Sequence, residues 1–315
     1  MKRGTRVFIL KKALEFLLTL FIVTMNSFIL MQLSPIDAAE AYARRNAFAI
    51  TPESLATLRE QMGLNDPLPV QYWNWVKDAV HLDFGTSYTN GRDVFQEVTQ
   101  AFSITATIVL LTAVVQAVGS LIVGCVCYWT RRNWIGKLMD FICIAGISIP
   151  SFFFATSFLD VFAVQLRWIN VAGNTGLMRY LPAALCLSVS GMAFFGQLLA
   201  GGVQRGMNED SAFYARCRGL TERRIMLHHA LPQAVSGLLP NFMQMMGLCM
   251  AGSMIVERIF SLPGLGYLII DSVLYRDNPM IHATILFLAF SLVFFNIVSD
   301  VIQRVLRGGG REVTA

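Results

Sequence analysis

Apolar residues gather into six long runs: Ala13–Leu33, Phe102–Trp129, Phe141–Leu166, Leu181–Gln204, Ala234–Val256 and Ile281–Val298. A helix needs roughly 20 apolar residues to cross a bilayer, and each run meets or approaches that length. The pattern predicts an all-α membrane protein with six transmembrane helices. Lys2, Arg3, Arg6, Lys11 and Lys12 precede the first run in the manner of a signal peptide. Its apolar part exceeds a signal core, however, and the following "SPIDAAEAY" is a weak cleavage site, so a retained anchor is expected. The chain then divides into 1–33 (N-terminus and first span), 34–100 (an external segment), 101–305 (a five-helix core holding the loop 204–235) and 306–315 (a tail).

The polar segments carry local signals of their own. In 34–100, Thr51 is placed to cap a helix with Pro52 at its first position, and Gly63 stands where it would stop. "VQYWNWVKDAV" predicts a second short helix with Tyr72, Trp73 and Val76 on one side. Trp73 and Trp75 also fit interfacial anchors. The loop "YARCRGLTERRIMLHHALPQA", Tyr214–Ala234, predicts two short helices. Asn208 would cap the first, with Glu209 and Asp210 in its first turn and Arg216 and Arg218 in its last. Gly219 is the expected left-handed stop. Thr221 would cap the second, which runs until Pro232 bends or breaks it. A helix this short cannot hold itself in water. Phe213, Tyr214 and Ala215, flanked by arginines, would dock on the bilayer or in a partner's groove.

Composition agrees with the pattern. The 315 residues are 55% hydrophobic and only 14% charged, with a mean hydropathy of +0.55; soluble domains are about 25% charged. The net charge of +5 reflects basic loops, with no stripe on a soluble face, so nucleic acid is not expected as a partner. Sixteen of the 25 lysines and arginines fall in the start, 129–140, 204–235 and the stretch after the last apolar run, from Arg304 on. The positive-inside rule therefore expects both termini and the 204–235 loop in the cytoplasm. Of the six cysteines, five lie in apolar runs and Cys217 in the basic loop, a distribution of small buried side chains and not of a disulfide framework.

No catalytic or cofactor signature emerges. "DFG" at Asp83–Gly85 lacks the rest of a kinase pattern. "IGKL" at Ile135–Leu138 has Arg131 and Leu138 where a phosphate loop needs Gly and Ser or Thr. His228 and His229 are adjacent and diverge on a helix. Within the runs, Asp160 stands out as the carboxylate well inside a span, either a pathway group, a structural hydrogen-bond partner or a group near the outer interface. Gln116, Gln197 and Asn296 suit helix-to-helix bonds. Met246 and Met250, on a face shared with Met243 and Met254, suit adaptable packing or a pliable pathway wall. Pro263, Gly264 and Gly266 interrupt the chain after the fifth run. They form a turn or, at membrane depth, line a cavity.

Three segments in order carry a family resemblance. The loop at 214–234 resembles the coupling loop of ATP-binding-cassette (ABC) importer permeases, with Ala215 and Gly219 matching its A-x-x-x-G pattern. Where that loop often begins with glutamate and two alanines, this chain has Phe213, Tyr214 and Ala215. "LREQMGLNDPLPVQYWNWVKDAVHLDFGTSY" (58–88) and "ERIFSLPGLGYLIIDSVLYRDNPMI" (257–281) resemble the dipeptide, oligopeptide and nickel branch. The family's commoner G-D-P is absent from "SPIDAAEAY". The resemblance implies a type I importer permease fold in a bacterial inner membrane. It implies a second homologous permease, two ATP-binding subunits and an external binding protein delivering short peptides, nickel or nickel–chelator complexes. The chain itself would bind no cofactor and catalyse nothing; ATP would be used by partner subunits. Phe213, Tyr214, Ala215, Arg216, Gly219 and Leu220 would then form the coupling loop. Pro263, Gly264, Gly266, Asp160, Met246 and Met250 would be pathway or gate residues. The rival readings are a stand-alone channel or secondary transporter, which needs no coupling loop, and a membrane-embedded enzyme, which needs a catalytic set.

Overall fold

The computed structural model describes residues 3–35, 37–45, 48, 50–168 and 176–309; the end of the expected tail, 310–315, lies outside them. The described residues are helical almost throughout. In chain order the helices are α1 (Arg3–Gln32), α2 (Ala38–Arg45), α3 (Pro52–Gln61), α4 (Leu68–Val80), α5 (Val94–Thr130), α6 (Trp134–Ser148), α7 (Ser151–Phe158), α8 (Leu181–Met207), α9 (Asp210–Cys217), α10 (Glu222–Ile225), α11 (Leu231–Ile259), α12 (Leu265–Tyr275) and α13 (Asn278–Gly309). Wider π-turns extend α7 over Leu159–Gln165 and join α10 to α11 over Met226–Ala230. Five stretches are long and apolar enough to cross a membrane: α1, α5, α8, the continuous Glu222–Ile259 and α13. A sixth is broken.

That broken span corrects the expected helix at 141–166. Helix runs over Trp134–Ser148 and Ser151–Gln165 with a 96° bend between. Pro150 is the cause. It offers no N–H to the helix, and its ring pushes the preceding residue out of the helical region; Ile149 accordingly sits at φ −85°, ψ 125°. Of the two outcomes expected at Pro232, a bend or a break, the helix does not break: it is continuous over Glu222–Ile259, with a π-turn just before the proline in which Leu231 N–H reaches back to the Met226 carbonyl. The second span also starts earlier than its apolar run, at Val94, where the Asp93 carboxylate accepts the Gln96 N–H at 2.8 Å.

The chain separates into two compact units, residues 1–105 with 263–293, and residues 106–262 with 294–315. In the first, α3 is capped as its sequence predicts: Ser54 N–H donates to Thr51 Oγ1 at 3.2 Å, and Gly63 turns the chain at φ +66°. α4 presents Tyr72 and Trp75 to Phe28 of α1, edge-on at 5.3 and 5.5 Å. Trp73 does not share that face. It is 59% exposed beside Lys77, since positions 72, 75, 76 and 79 point inward on this helix. Phe28 stacks on His282 at 3.8 Å, and Ser27 hydrogen-bonds His282 Nδ1 at 2.8 Å. α2 and α12 are helices that the apolar pattern alone did not reveal.

In the second unit, α5 and α8 meet at glycines. A Cβ on Gly191 would come within 2.1 Å of Gln116 Oε1, and one on Gly196 within 2.5 Å of Val123. Gln116 is buried there, but its Nε2 has no hydrogen-bond partner among the described residues. It fills space against Gly191 and its amide hydrogens tie no helix pair together. Farther along the chain, Ser299 of α13 donates to the Pro240 carbonyl of α11 at 2.8 Å.

Candidate functional site

The loop between α8 and α11 is built from small residues inward and aromatic residues outward. Ala212 and Ala215 of α9 are buried in a cluster with Leu199, Val203, Met207, Ile225 and Met226. Alanine lets the backbone approach closely, so an eight-residue helix can dock with little side-chain entropy to lose. The stems close the same way: a Cβ on Gly202 would lie 2.9 Å from Ala234 Cβ, and one on Gly206 3.0 Å from Ala230. The opposite face carries Phe213 and Tyr214, 60% and 66% exposed, with ring centroids 6.1 Å apart. Ala215 therefore leaves the docking surface it was expected to share. It is an anchor of α9, and Leu220 packs against the same cluster.

Both ends of α9 are fixed. Its N-cap is Glu209, one residue beyond the expected Asn208, and the Glu209 side chain makes no cap bond. It accepts instead from Gln233 Nε2 at 2.8 and 2.9 Å, tying the helix start to the first turn of α11. At the other end Gly219 is left-handed at φ +78°. Its N–H reaches the Arg216 carbonyl at 2.9 Å and Leu220 N–H reaches Ala215 at 3.2 Å, the two bonds of a Schellman stop. Arg216 then clamps the turn. It meets Glu222 with Nε at 2.6 Å and Nη2 at 3.1 Å, and Nη2 also reaches the Met207 carbonyl at 3.0 Å. Hydrogen bonding to Glu222 shifts the Arg216 pKa upward. Neither the Gln233–Glu209 contact nor the Arg216–Glu222 contact follows a helical spacing, so periodicity alone does not expose them.

Pro263, Gly264 and Gly266, expected at a gate, lie just after α11, at the start of α12. The chain reverses at Ser261, left-handed at φ +52°, where Leu262 N–H returns to the Glu257 carbonyl at 2.9 Å. Pro263 is exposed, while Gly264 and Gly266 are buried at the start of α12. Gly264 caps that helix in an extended conformation, and Leu265 N–H donates to Thr105 Oγ1 at 2.8 Å. The interruption thus comes from a serine turn, and the two glycines belong to the next helix. α12 ends at Arg276, again left-handed. Asp277, 1% exposed, accepts from Ser87 Oγ and from Tyr88 and Thr89 N–H, both at 3.1 Å. Burial and this carboxylate push the Tyr88 phenol up to about 12.

Asp160 is exposed on the π-turn after α7 and accepts from Gln165 Nε2 at 2.8 Å. It is not the sole carboxylate within the apolar helices. α11 continues past the expected end at Val256 and carries Glu257, fully buried, which accepts from Ser253 Oγ at 2.7 Å. Met246 and Met250 are enclosed, at 1% and 2% exposure. Their surroundings support the packing alternative. Among the described residues no group of three or more metal-ligating side chains gathers.

Comparison with known proteins places the chain. Residues 120–309 match the family "Binding-protein-dependent transport system inner membrane component", and residues 5–109 match its N-terminal partner family, "Binding-prot-dependent transport system membrane comp, N-term". "Glutathione transport system permease protein GsiC" of Escherichia coli (strain K12) is 30% identical over 295 residues, covering 94% of this chain and 95% of that protein. The protein of the same name from Shigella boydii serotype 4 (strain Sb227) matches to the same extent. A solved structure titled "Crystal structure of an amino acid ABC transporter with histidines" aligns with a TM-score of 0.46 at 15% identity, over 69% of this chain and 94% of that one. The chain therefore belongs to the inner-membrane permease subunits of binding-protein-dependent ABC importers, in the peptide/oligopeptide family.

Proposed function

We propose that this permease pairs with a homologous subunit to carry a short peptide inward, driven by two ATP-hydrolysing subunits that engage α9. The observation that carries the reading is the division of α9 into two faces. Ala212 and Ala215 bind it to the chain, and Phe213 and Tyr214 point away, 60% and 66% exposed. Exposed aromatics beside arginines on a fixed short helix suit a groove on a partner protein. A closing motion of that partner would reach α8 and α11 through the glycine–alanine contacts at Gly202 and Gly206. The distribution of basic residues supports a cytoplasmic position for this loop and both termini. The external 34–100 segment would then face the binding protein. The glutathione transport permeases of similar sequence favour a peptide over nickel as cargo. Asp160, exposed on the π-turn that ends the broken span, is the polar group proposed to face the pathway.

The test is reconstitution of the permeases with their ATPase and binding protein in vesicles. Uptake of a labelled tripeptide should require ATP and both partners. Uptake by the permeases alone would favour a channel or secondary transporter. In intact cells, a cysteine replacing Ser54 should react with an impermeant thiol reagent and one replacing Glu222 should not, in a background without native cysteines. The reverse pattern would invert the orientation.

A further inference from the structure

A second feature of the 204–235 region lies beside α9 and has no part in presenting Phe213 and Tyr214. A cavity of about 430 Å³ opens between the end of α5, the turn into α6 and the loop, lined by Tyr128, Trp129, Arg131, Arg132, Arg216 and Glu222 among others. The turn that supplies two of the arginines is closed and specific. Asn133 N–H returns to the Thr130 carbonyl at 2.8 Å. A Cβ on Gly136 would lie 2.5 Å from that oxygen and 2.8 Å from Arg131 Cα. Only a residue without a side chain lets α6 begin so close to the end of α5.

The charges do not balance. Arg216 is matched by Glu222. Arg131 stacks over the Tyr128 ring at 4.6 Å, and among the described residues neither Arg131 nor Arg132 forms an ion pair. The cavity therefore holds two guanidinium charges in excess, on groups whose planar donors match phosphate oxygens. Its depth is marked independently. Trp129 and Trp134, 52% and 72% exposed, stand at the end of α5 and the start of α6, and exposed tryptophans at the ends of spans sit at headgroup level. Basic pockets between membrane helices at that level take lipid headgroups.

We infer that this cavity binds the phosphate-bearing headgroup of an anionic phospholipid through Arg131 and Arg132, beside the Arg216–Glu222 contact at the end of α9. The transport reading enters only in assigning the site to the cytoplasmic leaflet. A lipid phosphate there would neutralise the excess charge beside the Arg216–Glu222 pair.

The experiment is a titration of the purified full-length chain in detergent with phosphatidylglycerol, read by native mass spectrometry. Phosphatidylcholine of the same chains is the neutral control and inorganic phosphate the competitor. Wild type should bind one phosphatidylglycerol roughly tenfold more tightly than phosphatidylcholine, and the double variant Arg131→Gln, Arg132→Gln should lose about 30-fold in affinity. Should the double variant fold poorly, Arg132→Gln alone should lose roughly fivefold. Equal affinity for the two lipids, or variants that bind phosphatidylglycerol as wild type does, would overturn the site. Displacement of the lipid by millimolar phosphate would assign the arginines to a free anion and overturn the lipid. No substrate, ATP or partner subunit is present, so this outcome is separate from that of the uptake experiment.

Discussion

Two short helices, α9 and α12, each stand between long apolar helices, and each ends on a left-handed residue. They are held in opposite ways. α9 docks through two alanines, keeps its large side chains outside, and turns on Gly219, where an added Cβ would meet nothing within 4 Å. α12 buries Leu265 completely, buries Gly264 and Gly266 beside it, and is followed by Asp277 with three hydrogen bonds to the 87–89 turn. Its left-handed residues, Ser261 before and Arg276 after, carry side chains and so bear a steric cost that glycine avoids. The difference teaches which helix is built to present a surface and which to stay put. A helix held by two alanines rests on a shallow, smooth seat. A helix sunk by leucine and tied by a buried carboxylate serves as a fixed part of its unit.

That contrast can be broken first at Asp277. Asp277→Ala would leave the buried Ser87 hydroxyl and the half-buried Tyr88 N–H without this acceptor, while Thr89 N–H keeps Ser87 Oγ at 3.1 Å; each unsatisfied buried group costs about 1–3 kcal/mol. We expect a loss of about 3 kcal/mol or more, seen as a large fall in the unfolding midpoint of the purified chain. A variant as stable as wild type would show that α12 is not anchored there. Ala215→Leu should cost less, about 1–3 kcal/mol from overpacking, and should lift α9 from its seat. Limited proteolysis between residues 208 and 222 would report it; unchanged protection would mean the seat is looser than its contacts suggest.

Gly219→Val is milder still for stability. The added Cβ meets no neighbour within 4 Å, so the cost comes from the left-handed backbone, about 1–2 kcal/mol or more for a β-branched residue, borne by a loop. The spans should insert and fold. ATPase co-purification and ATP-dependent uptake should fall together, and normal uptake with the ATPase bound would make this loop a plain connector.

How far these features could be read from the sequence depends on how local their causes are. The spans were legible because about 20 apolar residues in a row have one common solution, and Gly219 because a glycine after a short amphipathic stretch marks a helix stop. Thr51 and Pro52 announced α3 for the same reason. The bend at Pro150 was equally local and was hidden by the apolar run on both sides of it. The π-turn before Pro232 leaves no mark on the hydrophobic pattern. Ser261 and Arg276 take a conformation ordinarily left to glycine, so nothing in their identity signals a turn. The Asp277 contacts join positions about 190 residues apart. The inward path of Ala215 beside the outward Tyr214 is decided by what α9 packs against, and composition cannot say which face that is.

The central claim is that the outward face of α9 receives an ATP-hydrolysing partner and does nothing for the fold. Phe213 and Tyr214 should therefore be replaced together by serine in the full-length chain, and two quantities measured on one preparation: the unfolding midpoint and the amount of ATPase subunit that co-purifies. Exposed side chains away from the core change stability by less than about 0.5 kcal/mol, so the midpoint should stay near wild type. Aromatic anchors in a partner groove are worth about 2 kcal/mol or more each, so ATPase recovery should fall by more than tenfold, and transport with it. Full ATPase recovery with a wild-type midpoint would contradict the account, and would mean that the partner is held elsewhere on the chain.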